Sequence, residues 1–161
     1  MTLLAKDTGN YNFTLDLAVA KTTEQEISEL LHRHYSMITK EFSNHKRYDL
    51  LVLTKKNPLG VTLEVKEDFQ CFRTGNMALE FSSWNRPAGI TTTEADFYIH
   101  KFHLSNGLEY WSTKTSELKL LVEEKKYSRI VNGGDKGSNS MNYLITLDVF
   151  KEVSKELFIG E

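Results

Sequence analysis

Two apolar runs around one short turn constrain this chain more than any other feature. YDLLVLT (48–54) and VTLEVKED (61–68) are rich in Leu and Val, and they flank KKNPLG, where Asn57-Pro58 and Gly60 favour a reversal. Both runs are apolar on both faces, as buried central strands are. The turn is short enough to join them as an antiparallel hairpin. Three ionisable residues interrupt them: Asp49 opens the first run, and Glu64 and Lys66 lie on the second. Side chains alternate along a strand, so Glu64 and Lys66 share one face and Val65 points to the other. A hairpin turning near residues 55–60 pairs Asp49 with positions near 64–67 and gathers the three groups.

The rest of the chain reads as elements around this pair. NFTLDLAV alternates Phe13, Leu15 and Leu17, which predicts a short strand or extended lead-in. Thr23 is placed to cap a helix carrying Glu24 and Glu26 in its first turn, where carboxylates suit the positive end of the dipole. Ile27, Leu30, Leu31, His34 and Ile38 recur at helical spacing as its buried stripe. A third strand is predicted at NMALEFSSW (76–84), then a turn at NRPAG. TTTEADFYIHKFHL (91–104) ends in a β-prone run, and GLEYWS follows the Asn106-Gly107 turn. Residues 112–127 predict a helix with Leu118, Leu121 and Val122 on one face. NGGDKGSNS (132–140) is a loop and YLITL (143–147) a last strand. Asp148 then caps a terminal helix bearing Val149, Phe150, Val153 and Leu157. The expectation is one α/β domain over residues 1–161, with a single central mixed sheet flanked by helices.

The totals limit the partners. The 161 residues suffice for a sizeable core without staples. No apolar run is long enough to span a bilayer, and MTLLAKDTGN lacks the basic and apolar regions of a secretory signal. No membrane partner and a cytoplasmic location are therefore expected. The lone Cys71 excludes an internal disulfide and a cysteine-based zinc site, and it reads as a buried, inert thiol. Net charge is −2, from 20 Lys+Arg against 22 Asp+Glu. Any nucleic-acid surface would have to be local.

Two carboxylates a few ångströms apart repel, and their pKa values split unless a cation joins them. Oxygen ligands of this kind suit Mg²⁺ or Mn²⁺, with positions left for water and a phosphate. A lysine on the same face balances negative charge at such a centre.

This D…E-x-K arrangement of Asp49, Glu64 and Lys66, on a strand pair preceded by a helix, resembles the PD-(D/E)XK nuclease superfamily. The flanking words GNMALEF, RPAGITTTEADFYIH and IVNGGDKGSNSMNYLITL are similar to those of small phage and archaeal nucleases within it. The resemblance spans about residues 12–150, and the archaeal Holliday-junction resolvases are among the characterised relatives. It implies a restriction-endonuclease-like fold and metal-dependent endonuclease action on branched or duplex DNA, in the host cytoplasm for a viral chain. A homodimer is implied as well. Carried over by residue, Asp49 and Glu64 are metal ligands, Lys66 is the catalytic lysine and Glu24 the helix acid, with Glu26 the neighbouring alternative. Glu80 matches the acid on the third strand, as a metal, water or substrate contact. Tyr48 stands where relatives often have proline, and Ala20 where they often have glycine. The competing reading is a nucleic-acid-binding accessory protein with this fold and little activity of its own.

Other residues are weaker candidates. Thr91, Thr92 and Thr93 read first as caps and second as phosphate contacts, with Thr92 carried as a substrate contact. Asp96 reads as a local hydrogen-bond partner. GGDKGSNS reads as a surface loop with Lys136 as its DNA contact. HRHY (32–35) and NHKR (44–47) supply local positive charge, but His32, His34 and His45 form no zinc set. Trp84 and Trp111 are expected to pack in the core or its rim, with base stacking the alternative.

Overall fold

The computed structural model describes residues 13–43, 47–133 and 139–159. A long helix, α1 (Phe13–Tyr35), leads into β1 (Ile38–Phe42), β2 (Leu50–Leu53) and β3 (Val61–Asp68). A one-turn helix α2 (Cys71–Thr74) precedes β4 (Asn76–Ser83), β5 (Arg86–Pro87) and a 3-10 turn at Gly89–Thr91. Then come β6 (Phe97–Leu104), β7 (Gly107–Lys114), α3 (Thr115–Glu123), β8 (Arg129–Gly133), β9 (Ser140–Thr146), α4 (Leu147–Glu152) and β10 (Ser154–Leu157).

The result is mixed α/β, with a central six-stranded sheet in the order β1-β2-β3-β6-β7-β10. All neighbours are antiparallel except β3 and β6. The β2–β3 hairpin forms as the sequence predicts, with Leu50 opposite Leu63 and Val52 opposite Val61. The expected central mixed sheet flanked by helices is present, and a second, smaller sheet is added to it. β4 pairs with β9 in a second sheet, ordered β5-β4-β9-β8. The far edge of β3 is taken in parallel by β6, so β4 is carried off the central sheet within the crossover between them.

Two apolar clusters hold the layers together. Ile27 and Leu31 of α1 pack on Leu50, Val52, Leu63 and Ile99, with Val65 against them. Met77, Leu79, Ile145, Tyr98, Phe102, Leu118 and Phe150 form the other cluster, between the sheets. Each such side chain contributes about 1.5–3 kcal/mol by leaving water. The clusters lie on opposite faces of β6, because Tyr98 and Phe102 alternate with Ile99.

Several local expectations change. Residues 13–22 are helical, so the lead-in strand is replaced by the first half of α1. Thr23 lies inside that helix, its hydroxyl donating to the Val19 carbonyl (3.1 Å) and to Glu67 Oε1 (2.6 Å). Ser36, at φ 55°, follows the end of α1, and Ile38 becomes an exposed strand residue. Thr146, not Asp148, caps α4 by accepting the Val149 N–H. That helix ends at Glu152, and Leu157 lies on β10, paired with Tyr110 of β7.

Candidate functional site

β3 carries charge on both of its faces, and the two faces do different things. One presents Glu64 and Lys66, while Val65 between them enters the α1-side core. Asp49, just before β2, is pinned to this strand. Its N–H donates to the Leu63 carbonyl (2.8 Å), and its Oδ2 accepts the Val65 N–H at 2.7 Å. That register follows from the hairpin and brings Asp49, Glu64 and Lys66 together. Glu24 joins them from α1, buried to 5% exposure.

The electrostatics are those of crowded acids. Burial pushes the Glu64 carboxyl up to about 7. Lys66, 3.3 Å from Glu64 Oε1, opposes that rise, and Asp49 and Glu24 add to it. Burial also raises the Glu24 carboxyl, with Asp49 contributing, while Lys21 at 3.6 Å and Lys66 pull the other way. Lys66 is held above the ordinary lysine value against its own burial by Glu64, Asp49 and Glu80. Glu24 Oε1 is buried without a hydrogen-bond partner among the described residues. Buried acidic oxygens in excess of nearby cations are a donor set that fits a hard divalent ion. Glu24, Asp49 and Glu64 are the residues that would hold it. As they stand, no group of three or more His, Cys, Asp or Glu side chains among the described residues is close enough to hold a metal ion.

Beside Lys66 a half-polar pocket of about 190 Å³ opens between the sheets, walled by Ala78, Leu79, Glu80, Gly89, Tyr98 and Asn142. Glu80 and Asn142 face each other across β4 and β9, next to an irregularity between Glu80 and Ser82. Gly89 is required here: at φ +54°, a Cβ would fall 2.1 Å from the Glu80 carbonyl oxygen. Sequence reasoning missed Tyr98 and Asn142, whose strands meet the site only through sheet pairing. A larger cavity of about 390 Å³ lies on the α1 side, against Leu31, Val52, Leu63 and Ile99. It is a gap in apolar packing on the opposite face from Glu64 and Lys66.

The other charged face of β3 is a tether to α1. Glu67 Oε2 lies 2.6 Å from His103 Nε2 and 3.5 Å from Lys101 Nζ, while its Oε1 accepts the Thr23 hydroxyl. Lys101 also lies 2.9 Å from Glu26 Oε1, which accepts the Tyr110 hydroxyl at 2.8 Å. Glu26 therefore serves the tether, while Glu24 is the α1 acid that couples electrostatically to Asp49 and Lys66.

The weaker candidates divide. Thr91 donates to the Phe81 carbonyl, and Thr93 donates to the Arg47 carbonyl while accepting the Ala95 N–H. Thr92 is exposed at the end of the 3-10 turn. Asp96 bonds locally, accepting the Thr62 N–H at 2.9 Å. Cys71 is buried, and burial raises its thiol to about 11. Trp111 packs at the rim, edge-on to Phe150 and beneath Lys151. Trp84 departs from expectation: it stands 65% exposed on the tip of the β4–β5 hairpin, where Trp84 and Asn85 both have positive φ. Lys136 and His45 lie outside the described residues. Among the described residues, no helix is long and apolar enough to cross a membrane. A scan against protein-family models and a search of curated proteins find no match to this chain.

Proposed function

We propose that this chain is a metal-dependent DNA endonuclease of the PD-(D/E)XK kind, using Mg²⁺ or Mn²⁺. The observation that carries the reading is that Glu24, Asp49 and Glu64 act electrostatically on one another and on Lys66, beside a pocket that Lys66 and Glu80 line. An ion held by Glu24, Asp49 and Glu64 would polarise a phosphodiester oxygen and offset the mutual repulsion of these acids. Lys66 then orients the attacking water and balances the charge that builds on the phosphoryl oxygens. The water oxygen bonds to phosphorus as the bond from phosphorus to O3′ breaks. One water proton goes to solvent and the departing O3′ takes one up, leaving a 5′-phosphate and a 3′-hydroxyl. The exposed Trp84 on the hairpin beyond Glu80 offers an aromatic face to a neighbouring base.

The test is a panel of duplex, single-stranded, flap and four-way-junction DNA with Mg²⁺ or Mn²⁺, alongside a sizing column for the homodimer. Wild type should cut at least one substrate. Glu64→Gln and Lys66→Ala should each lower the rate by about 100-fold or more. Variants that cut as well as wild type would sink the assignment.

The competing reading is a DNA-binding accessory protein with this fold and little activity. It predicts DNA binding with no metal-dependent cleavage of any substrate in the panel.

A further inference from the structure

The pocket beside Lys66 holds a group that the reading above leaves unused. Tyr98 lies on β6, directly beside Glu64 of β3 in the parallel register, and is 1% exposed. It walls the same pocket as Lys66, Glu80 and Asn142. Its hydroxyl has no hydrogen-bond partner among the described residues. The Thr93 hydroxyl lies close enough to favour its ionised form but outside hydrogen-bond geometry, and it donates its own hydrogen to the Arg47 carbonyl.

A buried hydroxyl without a partner is unfavourable, and phenylalanine would fill the same space without that penalty. Phe102 does so four residues along the same face of β6. Lys66, Glu80 and Asn142 bring polar side chains to the pocket that Tyr98 lines. Asn142 is itself held, its Nδ2 donating to Ser140 Oγ at 3.2 Å. A phenol is protonated at neutral pH and so has a hydrogen to donate. A donor in a pocket shared with an ammonium is suited to an anionic oxygen.

We propose that Tyr98 is a further catalytic residue, donating its hydroxyl hydrogen to a non-bridging oxygen of the phosphodiester seated beside Lys66. This rests on the endonuclease reading and extends it by one residue. Lys66 balances the phosphoryl charge from one side, and Tyr98 donates to it from the neighbouring strand. The contact strengthens as charge grows on that oxygen in the transition state.

Tyr98→Phe removes the hydroxyl alone and keeps the ring. Its single-turnover cleavage rate is measured at saturating enzyme on the DNA that wild type cuts best, with Mg²⁺, beside DNA affinity in Ca²⁺ and the thermal midpoint. The proposal expects a fall of about 100-fold in rate, affinity changed by less than about threefold, and an unchanged or higher thermal midpoint. A rate equal to wild type overturns it. So does a rate loss accompanied by a clear drop in thermal midpoint, which would mark the hydroxyl as structural. Lys66→Ala separates this from the reading beneath it. If Lys66→Ala is inactive and Tyr98→Phe is not, only the role of Tyr98 falls. If both cut like wild type, or wild type cuts nothing, the endonuclease reading falls with it.

Discussion

Asp49 Oδ2 accepts the backbone N–H of Val65 at 2.7 Å, at the one residue that separates Glu64 from Lys66. The carboxylate therefore fixes the spacing of the site while adding negative charge to it. Asp49→Asn keeps an acceptor for that N–H and removes charge that repels Glu24 and Glu64. It should leave stability equal or higher while lowering cleavage by about 100-fold or more. Asp49→Ala leaves the N–H unpaired and should lose roughly 1–3 kcal/mol as well. Urea unfolding of both variants in EDTA checks this. Equal stability of the two would mean that the hydrogen bond is not the anchor.

Glu64 and His100 make opposite demands on pH. Glu64 titrates at about 7 in the folded chain against an ordinary 4.5, so its stabilising contribution is complete below 4.5 and lost as pH rises through 7. Burial lowers His100 to about 3 from 6.5, with Lys66 adding to the shift. Its contribution is complete above 6.5 and lost as pH falls toward 3. Between 4.5 and 6.5 the slopes have opposite signs, each at most about 1.4 kcal/mol per pH unit. Metal-free wild type should lose little stability from this pair across that window. Glu64→Gln, with only the histidine slope left, should lose up to about 2 kcal/mol more than wild type between pH 6.5 and 4.5. Denaturant curves at three pH values test it, and parallel profiles for the two proteins would refute a buried, protonated Glu64.

Gly89 and Gly75 both have positive φ, but only Gly89 lies against backbone. Gly75→Ala meets no atom within 4 Å and should lose only about 1–2 kcal/mol through its left-handed conformation. Gly89→Ala must displace the Glu80 carbonyl and should lose more, about 2–4 kcal/mol, with reduced cleavage from whatever protein remains folded. Thermal unfolding of the pair separates conformation from collision. Equal losses would mean that the approach to Glu80 relaxes freely.

The parts of this site that could be read in advance are those with short-range causes. Asp49, Glu64 and Lys66 meet because a hairpin fixes its own register, and six turn residues were enough to predict it. The choice between Glu24 and Glu26 was open, since both border the buried stripe. The difference between them is made by Lys101 and Tyr110, which claim Glu26 from strands far along the chain. The departure of β4 to a second sheet was hidden for a related reason. Its alternation suits either sheet, and the outcome turned on β6 occupying the edge of β3. Phe13, Leu15 and Leu17 span too few residues to separate a period of two from one of 3.6, and the longer helix won. Trp84 looked like core by residue type, whereas its place at a two-residue reversal turns it outward.

The tether on the far side of β3 has a bearing on the site that neither face reveals alone. Thr23, Glu24 and Glu26 follow one another around α1, and consecutive helical residues point about 100° apart. Thr23 is fastened to Glu67, and Glu26 to Lys101 and Tyr110. With those two bearings clamped, the roll of the helix about its own axis is set, and so is the compass direction in which Glu24 points. The ionic cluster on that face thus works as a keyway: it decides the angle at which the helix presents Glu24.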